Sequence, residues 1–115
     1  MNLSQTLYMR LKAYIPMKTT LREPYNRFFG TLANQYRLDI IEALSEGQKT
    51  VTKLVKRLKF QQSTVSHNLR RLEECGFVSV RQNGKERIYS LNKETIKPLL
   101  SLMHYHMNNY CRRMK

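Results

Sequence analysis

The sequence predicts a mainly α fold with one small β-hairpin, an α+β domain in a single unit spanning residues 1–115. Three observations lead there. Apolar residues recur at helical spacing through most of the chain, whereas strand-like alternation occurs only on either side of Asn83-Gly84. No internal repeat or low-complexity stretch divides the sequence, and 115 residues can build one core but not two independent ones.

Leu3, Leu7, Leu11 and Tyr14 lie on one helical stripe, broadened by Tyr8 and Ile15 and ended by Pro16, with Ser4 placed to cap it. Residues 17–24 have no clear period and end in Pro24, so residues 1–24 read as an N-terminal helix plus linker. From about Tyr25 to Ser45, Phe28, Leu32, Leu38, Ile41 and Leu44 predict a helical region with a core-facing stripe, broken near Asn34 and ended at Glu46-Gly47.

Thr50 is placed to cap a short helix with Val51, Leu54, Val55 and Leu58 on one face and Lys53, Lys56, Arg57 and Lys59 on or beside the other. A tight connection at Phe60 and Gln61 leads to a helix from Gln62 to Cys75. Val65, Leu69 and Leu72 point inward there, and Gly76 ends it. Phe77–Gln82 and Arg87–Leu91 form the hairpin arms around the turn dipeptide Asn83-Gly84. Residues 93–113 predict a last helix carrying Ile96, Leu99, Leu100, Met103, Met107 and Tyr110, with Pro98 in the first turn, where proline is tolerated.

Charge narrows the functional classes. Twenty-one Lys and Arg against eight Asp and Glu give a net charge of +13, which favours a polyanionic partner. Nucleic acid comes first and an anionic membrane surface second. Residues 46–90 hold +6 of this charge while also reading as folded. Two cysteines, Cys75 and Cys111, are too few for a disulfide framework and lack paired CxxC spacing, which points to a reducing cytoplasm. No apolar run approaches a bilayer span or a signal peptide, so no membrane partner is expected. The first 22 residues are acid-free and amphipathic, as a transit peptide is, but a dimerisation helix is the preferred reading.

Two short helices joined by a tight turn and followed by a basic hairpin make a winged helix-turn-helix, here with extra N- and C-terminal helices. The stretches QSTVSHNLRRLEECGFV and VRQNGKERIYSL resemble the ArsR family of small bacterial and archaeal repressors. The upstream LANQYRLDIIEALSEG is similar to that family's preceding helix, so the resemblance covers residues 29–91, roughly half the chain. It implies a transcriptional regulator that binds double-stranded DNA.

The residues support the same reading independently. A helix fits the major groove, and its exposed side chains must donate or accept hydrogen bonds to base edges. Gln62, Ser63, Thr64 and His67 are the candidates for bases, with Ser66 and Arg70 for phosphate. Arg81, Gln82, Asn83, Lys85 and Arg87 crowd the hairpin, where they can follow the backbone or enter the minor groove. Lys53, Lys56, Arg57 and Lys59 add affinity without specificity. Each of these sets also has a plain alternative as a polar cap or a solvated surface.

The terminal helices predict a homodimer, with Leu7, Leu11, Ile96, Leu100, Met103, Met107 and Tyr110 at its interface. Two recognition helices would then meet inverted half-sites roughly 34 Å apart. Many family members release DNA on binding metal, but no metal or other cofactor is expected here. The helix at 51–58 has no cysteine and LNKETIKPL lacks the Asp-x-His pair, which leaves His104, His106 and Cys111 as the remaining metal candidates. The chain contains no Gly-rich phosphate loop, no HExxH and no isolated carboxylate pair, so no enzyme is expected. The alternatives are a non-specific architectural DNA-binding protein, an RNA-binding or protein-docking winged helix, and a metal-responsive repressor using the C-terminal His and Cys.

Overall fold

The computed structural model describes residues 22–114. The expected helix at residues 3–15, with Leu7 and Leu11, lies outside them. Six elements run α1 (Arg22–Leu32), α2 (Gln35–Ser45), β1 (Lys49–Thr50), α3 (Val51–Leu58), α4 (Gln62–Glu74) and β2 (Val78–Asn83). Then come β3 (Glu86–Leu91), α5 (Ile96–Tyr110) and a short 3-10 turn, Arg112–Met114. The strands form an antiparallel sheet in the order β1-β3-β2.

Each helix boundary has a local cause. The break near Asn34 is an N-cap: its side chain accepts a hydrogen bond from the Arg37 backbone N–H at 3.1 Å and starts α2. Thr50 caps α3 in the same way, through the Lys53 N–H at 3.2 Å. Gly76, at φ +74°, closes α4 in a Schellman motif. Its N–H reaches the Glu73 carbonyl at 3.0 Å, and the Phe77 N–H reaches the Leu72 carbonyl at 2.9 Å. Phe77 and Leu72 are both fully buried, which supplies the hydrophobic contact that accompanies this cap.

One core serves the whole fold. Ile40, Ile41, Ala43 and Leu44 of α2, Leu54 of α3 and Val65, Leu69 and Leu72 of α4 meet Phe77, Val78, Tyr89, Leu91 and Ile96. Phe28 of α1 packs on Phe77 with ring centroids 4.9 Å apart.

The structure corrects five details of the sequence reading. Arg22, Glu23 and Pro24 belong to α1 rather than to a linker, because a proline in the first turn breaks no intrahelical bond. Lys49–Thr50 pairs with β3, Lys49 opposite Tyr89 and Thr50 opposite Ile88, adding a strand that the hairpin reading lacked. The hairpin loop is Gly84-Lys85 rather than Asn83-Gly84, since Asn83 pairs with Glu86. Gly84 at φ +65° takes the first central position, as in a II′ turn.

The last helix begins at Ile96 rather than Lys93. Asn92 holds the intervening turn by accepting from the Glu94 and Thr95 N–H groups at 3.0 and 3.2 Å. Finally, Leu38 does not enter the core. It stays exposed on the side of α2 that faces α5, where a cleft of about 800 Å³ opens between the two helices.

Candidate nucleic-acid interface

Helix α4 is anchored along its whole length. Val65, Leu69 and Leu72 are each 0% exposed and occupy one stripe, as the periodicity predicts. Gln62, Ser63, Ser66, His67 and Arg70 are exposed on the remaining surface, and Thr64 is half-buried at the flank nearest α2. Five of the six expected recognition residues therefore stand clear of the fold. Gln61 begins the helix without a side-chain cap, and the first helical N–H groups have no intrahelical acceptor.

A second stripe on α4 was not anticipated. Asn68 is buried, and its amide donates to the Thr64 carbonyl at 2.8 Å. Its oxygen accepts from Arg37 Nη1 at 3.1 Å. Arg37 also donates through Nε to the Thr31 carbonyl and through Nη2 to the Gly30 carbonyl at 3.3 Å. One guanidinium thus ties the end of α1 to the middle of α4. Burial, and secondarily the charge of Arg71, lower the Arg37 pKa. The buried Thr31 hydroxyl donates to the Arg27 carbonyl at 2.7 Å and accepts from Arg71 Nε at 3.2 Å. Its oxygen also lies 3.3 Å from Cys75 Sγ. An Arg or Asn in an amphipathic helix reads as solvated, so this network needs the fold to become visible.

The wing beside α4 is built by the β2–β3 ladder, with registers from Val78–Leu91 to Asn83–Glu86. Tyr89 is buried and Val80 and Ile88 are half-buried at its base. Arg81, Gln82, Asn83, Lys85 and Arg87 are all exposed toward the tip. Gln82 donates to the Gly84 carbonyl at 3.0 Å, fixing the loop. Lys53, Lys56, Arg57 and Lys59 are exposed on α3 and its C-cap. Arg57 is drawn to Glu46, with Nη2 at 2.7 Å from the carboxylate. That contact raises the Arg57 pKa and lowers that of Glu46, so it competes with any anion for this arginine.

On α5 the expected interface residues divide. Ile96 is 3% exposed and belongs to the chain's own core, so it has almost no surface left for a partner. Leu100 and Met103 are half-buried against that core. Met107 is half-buried and Tyr110 is 67% exposed. Leu102 and Tyr105, which the helical stripe omitted, are 65% and 59% exposed.

Within one chain the metal candidates lie apart. His104 lines the cleft against α2, His106 stacks on Tyr110 with centroids 5.4 Å apart, and Cys111 follows the helix end. Among the described residues no three His, Cys, Asp or Glu side chains come together, and no helix is long and apolar enough to cross a membrane.

A winged helix-turn-helix with an exposed polar recognition face is therefore in place, and comparison with known proteins assigns its lineage. The profile of the bacterial regulatory protein arsR family matches residues 34–80, from the cap of α2 into β2. The arsenical resistance operon repressor of Bacillus subtilis is 33% identical over 85 residues, covering 73% of this chain and 81% of that protein. The chain belongs to the ArsR family.

The probable mercury resistance operon repressor of Streptomyces lividans is 34% identical over 76 residues, 66% of this chain. The match spans only 61% of that relative's length. Among solved structures, the homodimeric winged helix-turn-helix DNA-binding domain Mb0332 of Mycobacterium bovis superposes with a TM-score of 0.72 at 22% identity. That match covers 86% of this chain and 95% of the other, and it shows the shared fold.

Proposed function

We propose that this ArsR-family chain is a sequence-specific regulator of transcription, a cytoplasmic repressor that binds double-stranded DNA as a homodimer on an inverted-repeat operator. The observation that carries the reading is the two-sidedness of α4. A fully buried apolar stripe fixes the helix, and Gln62, Ser63, Ser66, His67 and Arg70 project from it beside a basic wing. In the major groove Gln62, Ser63, Thr64 and His67 read base edges, while Ser66, Arg70 and the uncapped helix start hold phosphate. Arg81, Gln82, Asn83, Lys85 and Arg87 lie along the backbone or the minor groove and set orientation.

The single domain of 1–115 pairs through its terminal helices. The exposed Leu102, Tyr105 and Tyr110 support this, as does the homodimeric state of the M. bovis domain. The repressor sign follows the names of the arsenical and mercury resistance relatives. The reading includes no catalysis and no resident cofactor.

Selection of bound duplexes from a random pool tests the proposal. The expected result is an enriched palindromic site bound about 10³-fold or more above random sequence. Equal affinity for selected and random duplexes would leave a non-specific architectural protein instead.

A further inference from the structure

The flank of α4 turned toward α2 carries more positive charge than base reading requires. Arg37, His67, Arg70, Arg71 and Glu74 line an open hollow of about 340 Å³. Three guanidiniums and an imidazole face one carboxylate there, and no ion pair among the described residues involves any of them. Arg37 is fixed by bonds through all three of its guanidinium nitrogens. Arg71 spends Nε on Thr31, and its two Nη groups have no partner among the described residues. Burial first, and the neighbouring charge of Arg71 second, lower the Arg37 pKa, so a like charge stands close to it. Preorganised donors of one sign, held together against their own repulsion, make a seat for an anion.

We infer that this hollow seats a phosphodiester of the DNA strand running alongside α4. The inference rests on the DNA-binding reading above. A helix with its side chains is about 10–12 Å across and fills a major groove about 12 Å wide, so its flanks lie against the two backbones. One flank of α4 carries Ser66 and Glu73, and the other carries Thr64, His67 and Arg71. The second is backed by a cation from another helix, Arg37. Arg37 and Arg71 of the hollow therefore set how α4 sits between the strands without reading sequence.

Anisotropy titration of the full chain with a fluorescein-labelled random-sequence duplex, between about 50 and 200 mM salt, tests this. Arg71→Gln is expected to reduce the log-log salt slope by about 0.9, one phosphate contact, and to weaken binding alike on every sequence. Arg71→Lys keeps the slope, and Lys93→Gln, at the cleft on the α5 side, leaves it unchanged. Glu74→Gln removes the opposing carboxylate without touching the core, so it covers the case in which Arg71→Gln fails to fold. It is expected to tighten binding by roughly two- to fivefold at low salt, converging with wild type as screening grows.

Wild-type slope and affinity in both Arg71→Gln and Glu74→Gln would overturn the inference and leave the DNA-binding reading standing. Competition by inorganic phosphate at the hollow, with DNA binding unaffected by either variant, would reassign it to a free anion. Absence of salt-dependent binding by the wild type to any duplex would overturn both readings.

Discussion

Helices α4 and α5 begin from the same design, but only α5 leaves large apolar side chains exposed. Both place an apolar stripe on the common core, Val65, Leu69 and Leu72 in one and Ile96 with parts of Leu99, Leu100 and Met103 in the other. Beyond the core α4 presents only polar and charged groups, from Gln62 to Glu74, whereas α5 presents Leu102, Tyr105 and Tyr110 among polar neighbours such as His104, His106 and Asn109. Their support differs too. Helix α4 packs against α2, α3 and β2, while α5 is buried chiefly through its first residue, Ile96. On the function proposed above the difference has a reason: α4 has to hold several side chains in register against base edges and needs support from several sides, while α5 completes its burial on a second protomer.

The comparison breaks most visibly at the anchor. Leu69→Ala should cost about 2–5 kcal/mol of stability, because it empties a fully buried site, and denaturant unfolding measures it. Leu102→Ala on α5 should leave the unfolding of isolated protomers nearly unchanged, since that side chain is solvated within the chain. If the two variants lost equal stability in dilute protein, the contrast between the helices would be wrong.

The outward faces supply the next test. Tyr105→Asp or Leu102→Asp is expected to weaken self-association by about 2 kcal/mol or more, read by light scattering across a concentration series, if this face is the dimer surface we propose. Gln62→Ala and His67→Ala should each cost about 1–3 kcal/mol of binding to a selected duplex and relax preference at one base pair. Thermal unfolding of both should match wild type, because neither side chain contributes to the core. A variant that lost affinity equally on random DNA would move its residue from base reading to phosphate contact.

Much of this division was legible in the sequence, for reasons that are local. Thr50, Asn34 and Gly76 mark helix ends because capping depends on neighbours three or four positions away. The stripe Val65, Leu69, Leu72 needs only helical periodicity, and with the buried side known, the exposed side of α4 follows. What escaped was set by distant partners. Asn68 is buried because Arg37, 31 positions earlier, satisfies it. The two-residue strand β1 has no period of its own and exists through Ile88 and Tyr89. Leu38 and Ile96 sit on helices whose apolar stripes looked equivalent, yet one is exposed and the other sealed, because only packing decides which part of a wide stripe faces the core. The hollow at Arg71 was hidden for the same reason, since one of its three guanidiniums, Arg37, comes from α2.

The smallest expected effect lies at the turn before α4. Lys59, the C-cap of α3, is the only non-glycine among the described residues with positive φ, at +61°. Its N–H still bonds the Val55 carbonyl at 2.8 Å, so the left-handed geometry is part of how the chain reverses toward Phe60 and α4. A side chain in that conformation costs about 1–2 kcal/mol relative to glycine, and glycine gives part of this back through a more flexible unfolded chain. Lys59→Gly is therefore expected to raise stability by about 0.5–1 kcal/mol in denaturant unfolding. It also removes an exposed cation next to the recognition helix, so DNA affinity on any sequence should fall slightly while stability rises. That opposite movement separates this position from Leu69, where stability and binding fall together, and a Lys59→Gly variant that lost stability would show that the lysine stem packs on the turn.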